Sequence, residues 1–90
     1  MRGLLGRDGL APGDGLILTP CNMIHTCFMR FAIDAAFLDA DGTVVRTADG
    51  LQPFRLAWGG RRARVTIELP AGALRQAGVR PGERLRIEPA

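Results

Sequence analysis

Ile33-Asp34-Ala35-Ala36-Phe37-Leu38-Asp39-Ala40-Asp41-Gly42-Thr43-Val44-Val45-Arg46-Thr47 is the stretch that decides the fold. Successive residues of a strand point to opposite faces, so Ile33, Ala35 and Phe37 share one side and Asp34, Ala36 and Leu38 the other. Both sides are largely apolar, which predicts a central strand covered on both faces. Asp39-Ala40-Asp41-Gly42 then reads as a tight turn, with Asp bonding its own backbone and Gly in the left-handed position. Thr43 to Thr47 is β-branched at four of five positions, and the whole reads as a β-hairpin.

Working outward, Leu16-Ile17-Leu18 is a short buried strand closed by Thr19-Pro20, and Met23 to Phe28 is a second extended stretch. Leu51 to Trp58 contains Pro53, which lacks a donor, so it is an edge strand or a loop. Trp58 is expected to plug the core. Val65, Ile67 and Leu69 are expected to face inward, with Arg64, Thr66 and Glu68 outward. Ala71 to Ala77 is the helical candidate, started after Pro70 and stopped by Gly78. Arg84 to Glu88 is a final strand with Leu85 and Ile87 inward. Residues 1–90 therefore form one domain of mainly β class, a small β-sandwich or barrel-like fold of six to seven short strands with one short helix in its C-terminal half.

Ninety residues at 47% apolar content suit one folded core. No N-terminal apolar run resembles a signal peptide and none approaches a membrane span, so a cytoplasmic location and no membrane are expected. The two cysteines read as thiols. Net charge is +3 and every basic residue is arginine. Arg61, Arg62 and Arg64 beside Gly59-Gly60 read as a solvated turn rather than a nucleic-acid contact, because no aromatic platform interleaves them. The chain has no serine, lysine or tyrosine. That removes a Ser-His-Asp triad, a Schiff-base lysine and a Walker A lysine. No GxGxxG follows a strand, and no cofactor is indicated.

Cys21-Asn22-Met23-Ile24-His25-Thr26-Cys27-Phe28-Met29-Arg30 holds both cysteines, the one histidine and two of the three methionines. Thiolate, imidazole and thioether suit a soft metal such as zinc or copper(I), which makes Cys21, His25 and Cys27 a conceivable ligand set. On a straight strand His25 and Cys27 lie about 6.6 Å apart, but Cys21 and Cys27 about 20 Å. One ion or one disulfide could join them only if the chain bends after Pro20. A Cys–His nucleophile pair is the second reading. Asp34, set in an apolar strand, requires a partner, and Arg30, Arg7 and Arg55 are candidates for an ion pair.

Several blocks resemble the bacterial and archaeal family named domain of unknown function 192. They are Arg2-Gly3-Leu4-Leu5-Gly6-Arg7, His25-Thr26-x-Phe28-Met29-Arg30-Phe31-x-Ile33-Asp34, Phe37-Leu38-Asp39-x-Asp41-Gly42-x-Val44-Val45, Pro53, Glu68-Leu69-Pro70-Ala71-Gly72 and Gly78-Val79-x-Pro81-Gly82-Glu83. The resemblance spans nearly the whole chain. It implies a mainly β domain with a short helix near the C-terminus and transfers no activity. Family positions map to His25, Thr26, Met29, Asp34, Asp39, Gly42, Glu68 and Gly72. Turns explain the glycines and Asp39. The chain departs from the pattern in having Leu5 where methionine is common and Cys27 where an apolar or small residue is common, which makes Cys27 a packing residue.

The candidate ligand-binding residues are thus His25, Thr26, Met29, Arg30, Asp34 and Glu68, and no catalytic set is assigned. The expected function is a small non-enzymatic binding or accessory domain with a polar cleft around His25–Asp34, taking a small anionic ligand or a protein partner. The alternatives are a cysteine/histidine-dependent hydrolase or transferase, and a soft-metal-binding protein. Nucleic acid is disfavoured.

Overall fold

The computed structural model describes residues 3–5, 16–27, 30–85 and 87–89, with the backbone alone described for 3–5 and 87–89. In chain order the elements are β1 (Gly3–Leu5), β2 (Leu16–Leu18), β3 (Met23–His25), β4 (Ile33–Leu38), β5 (Val44–Leu51), β6 (Leu56–Trp58), β7 (Val65–Pro70), α1 (Ala73–Ala77) and β8 (Ile87–Pro89). Their pairings make an antiparallel four-stranded sheet in the order β2-β7-β4-β5 and two antiparallel ribbons, β3-β6 and β1-β8. The class is mainly β with one short helix, as the sequence pattern implies.

All six residues of β4 are buried, and they separate into two cores as alternation requires. Ala36 and Leu38 pack with Ile17, Val44, Ile67 and Leu69, and Leu74 of α1 with Val79 and Leu85 covers that face. Ile33, Ala35 and Phe37 pack on the opposite face with Ile24 of β3 and Ala63. The turn into β5 forms as predicted. The Asp39 carboxylate Oδ1 accepts the N–H of Asp41 at 2.9 Å and of Thr43 at 3.0 Å, and Gly42 is left-handed at φ 84°.

Four expectations change. Arg84 bridges to Thr43 instead of starting a strand, and the terminal strand β8 begins at Ile87 and pairs with β1, which local pattern did not reveal. The helix starts two residues late, because Gly72 at φ 92° cannot be helical. It ends at Gly78 as predicted, with Val79 N–H donating to Leu74 O at 2.9 Å. Thr66 is fully buried and Glu68 half-buried, not outward; the chain entering β3 crosses over Thr66, whose hydroxyl donates to Cys21 O at 3.2 Å. Trp58 is 48% exposed, not a core plug. Among the described residues no helix is long and apolar enough to cross a membrane.

Gly59 fixes how the ribbon leaves the sheet. A Cβ there would overlap the ring of Phe37 and lie 2.7 Å from the Ala63 side chain. Phe37 is wholly buried, a burial that stabilises by about 1.5–3 kcal/mol. The Gly59→Ala variant is expected to lose about 1–3 kcal/mol through overpacking, read as a lower urea midpoint. An unchanged midpoint would mean that Phe37 does not pack against this turn.

Candidate functional site

Asp34 is 1% exposed, and its carboxylate is fully engaged with backbone. Oδ1 accepts the N–H of Gly50 at 2.8 Å, and Oδ2 accepts the N–H groups of Gly72 and Leu74 at 3.0 Å each. A register shift between β4 and β5 at Ile33/Ala35 leaves an extra residue on β5 opposite Asp34, and Gly50 takes φ 61° there. This β-bulge turns the Gly50 amide inward, a conformation that suits glycine. Gly72 offers no side chain to cap α1, and Asp34 caps it from a neighbouring strand. Backbone N–H groups thus take the place of the arginine expected from sequence. The Asp49-Gly50 pair inside a strand pattern was the overlooked signal for that bulge. Asp34, Asp49, Gly50, Gly72 and Arg75 line a cavity of about 260 Å³.

Thr26 is likewise structural in its contacts. It is 0% exposed. Its hydroxyl donates to Gln52 O at 2.6 Å and accepts the N–H of Arg55 at 2.8 Å, while its backbone bonds Arg55 O and the Phe54 N–H. These bonds hold the 52–55 turn that delivers β6. Phe54 within the turn sits at φ 63° and is 76% exposed.

His25 and Glu68 come together on the ribbon side of the sheet. Glu68 stands between Leu16 and Ala35 in register. Burial raises its carboxyl above the usual carboxylate range, and the charge of His25 partly offsets the rise. Asp34 belongs to the opposite face of the sheet, so His25 and Glu68 do not share a cleft with it. Arg30 is exposed, and Met29 and Arg7 lie outside the described residues. The Cys21 thiol donates to Met23 O at 3.2 Å, both cysteines are unbridged and half-buried, and among the described residues no three His, Cys, Asp or Glu side chains cluster to hold a metal.

The outward face of the β3-β6 ribbon is the surface that sequence reasoning missed. Ile24 and Ala57 point into the core, so Met23, His25, Leu56 and Trp58 point out, paired as Met23↔Trp58 and His25↔Leu56. Met23 is 53% exposed, Leu56 72% and Trp58 48%. Arg46 donates from NH1 to Trp58 O at 3.0 Å and its guanidinium lies 6.0 Å from the indole centroid.

Against known proteins, the profile of the family DUF192, described as "Uncharacterized ACR", matches residues 1–87. This chain belongs to that family. No curated protein matches it. Two crystal structures share its fold, each with a TM-score of 0.73. One, a protein of unknown function from Novosphingobium aromaticivorans DSM 12444, is 20% identical over 93% of this chain and 64% of its own. The other, from Sinorhizobium meliloti 1021 and described as a "putative transcription regulator", is 26% identical over 94% of this chain and 70% of its own. This chain therefore spans about two thirds of those two proteins.

Two outcomes follow for this family fold. Asp34→Ala leaves three N–H groups without their acceptor and is expected to cost about 3–5 kcal/mol in urea unfolding. A loss under about 1 kcal/mol would mean that the carboxylate is not a structural tie. For Glu68, the folded state binds its proton more tightly than the unfolded state. Stability therefore falls as pH rises from the ordinary carboxylate value of 4.5 through the raised one. Glu68→Gln should flatten that slope and be no less stable at neutral pH; a steeper slope would reverse the assignment.

Proposed function

We propose that the domain is a non-enzymatic binding module whose docking face is the outward side of the β3-β6 ribbon, and that its partner is a protein segment carrying apolar and acidic side chains. The observation that carries this reading is the register of Met23, Leu56 and Trp58 around His25, all exposed on a ribbon whose other side is buried. Contiguous exposed apolar side chains with an aromatic and a polar rim mark interaction surfaces. The partner's charge follows from the rim. Arg46 lies over Trp58 and exposed Arg55 precedes Leu56, and guanidinium groups favour carboxylates. Phe54 adds support: a bulky residue held at positive φ costs stability, and such strain concentrates at working surfaces.

Asp34 and Thr26 serve this reading as scaffold, while His25 stays in the binding face with Glu68 behind it. A cysteine–histidine reaction through Cys21 has less support, because the Cys21 thiol is turned to Met23 O. The description of the Sinorhizobium protein as a regulator suggests a nucleic-acid role, but the five-residue α1 is too short to read a groove.

A photo-crosslinking residue at Leu56 is expected to give one discrete heterologous adduct in cells that make the chain, lost when Trp58→Ser is added. The same residue at Arg75 should give none. Identical adducts at both positions, or a dimer of the chain alone, would overturn the proposal.

A further inference from the structure

Arg46, Arg61 and Arg62 line a single cleft of about 410 Å³ between the start of β5 and the turn after β6. We propose that this cleft binds a small phosphate-bearing ligand. Its charge is the first reason. Three arginines line it, and Asp39 is the one acidic residue among its lining residues. Asp39 Oδ1 is already held by the N–H groups of Asp41 and Thr43. Three positive charges against one negative leave an excess of two, which matches the roughly −1.5 to −2 of a phosphate monoester.

Preorganisation is the second reason. Arg46 is held by its bond to Trp58 O at 3.0 Å, with its guanidinium over the indole at 6.0 Å from the centroid. An arginine carries five N–H donors, so most of its fork remains for a ligand. Arg64 braces the turn by donating from NH1 to Arg61 O at 2.7 Å and to Ala63 O at 3.0 Å, and Gly60 O accepts the Ala63 N–H at 3.3 Å. Close packing of Gly59 on Phe37 anchors the same turn. Arg61 and Arg62 are exposed and have no side-chain partner among the described residues. A guanidinium set on a rigid turn loses little freedom when it grips an oxyanion.

Size and walls are the third reason. The volume falls in the range of small-molecule pockets, about 300–1,000 Å³. Val45, Pro81 and Gly82 are also among its lining residues, and a cleft of this size suits one phosphate group with a small appendage. A nucleic-acid strand instead requires an extended basic groove with stacking platforms.

The test uses the chain's one tryptophan. A ligand that draws on Arg46 changes the charge over Trp58, so its fluorescence reports binding. Pyrophosphate and inorganic phosphate at low ionic strength are expected to give a saturable one-to-one change. The double variant Arg61→Gln/Arg62→Gln, exposed and so expected to keep its melting temperature, should weaken it by roughly tenfold or more. Arg75→Gln, in a different cavity, and Leu56→Ser, on the docking face, should leave the titration unchanged, so this site and the docking face can fail separately. Three results would overturn the proposal: a response no different from sodium chloride of equal ionic strength, malonate binding as tightly as pyrophosphate, or a DNA oligonucleotide binding more tightly than either.

Discussion

The Asp34 carboxylate ties together three parts of the chain that local sequence does not join. It is carried by the central strand β4, and it accepts N–H groups from the β5 bulge and from the start of α1. A buried carboxylate is costly unless hydrogen-bonded, and backbone N–H groups at a helix start and a bulge are costly unless accepted. Each requirement answers the other. Without that tie the helix start would lack its cap, and Leu74, the buried residue of α1, would lose the geometry that seals one core.

With Asp34 committed to that face, the opposite face carries the β3-β6 ribbon. There the β3-β6 ribbon lies over Phe37 and Ile33, with Thr26 fastening the 52–55 turn and Gly59 allowing close approach to the Phe37 ring. The ribbon is two strands wide with Ile24 and Ala57 turned to the core, so alternation puts Met23, Leu56 and Trp58 on its exposed side. Arg46 of β5 lies over Trp58 of that ribbon and donates to its carbonyl oxygen.

Much of the fold was legible because β4 is apolar on both sides and Asp39 and Gly42 have turn chemistry that permits little else. What escaped did so for physical reasons. Alternation along β7 shows that Thr66 and Glu68 share a face, but not that the distant Cys21 backbone crosses it. β1 is three residues long and pairs with β8 at the far end of the chain, so nothing local announces it. Asp34 and His25 were grouped by closeness in sequence, whereas β4 and β3 send them to opposite faces of the sheet. An arginine partner for Asp34 is visible in a sequence, while donors that belong to backbone are not. Of the candidate residues, His25 and Glu68 come together, and Thr26 and Asp34 are tied into the scaffold.

Amide hydrogen exchange measured residue by residue tests the central tie most directly. The account predicts that the N–H groups of Gly50, Gly72 and Leu74, although they lie at a bulge and a helix start, exchange only through opening of the domain and show protection close to that of the β4 amides. Exchange of all three at the rate of unprotected loop amides would contradict it, because the Asp34 carboxylate could not then be holding them.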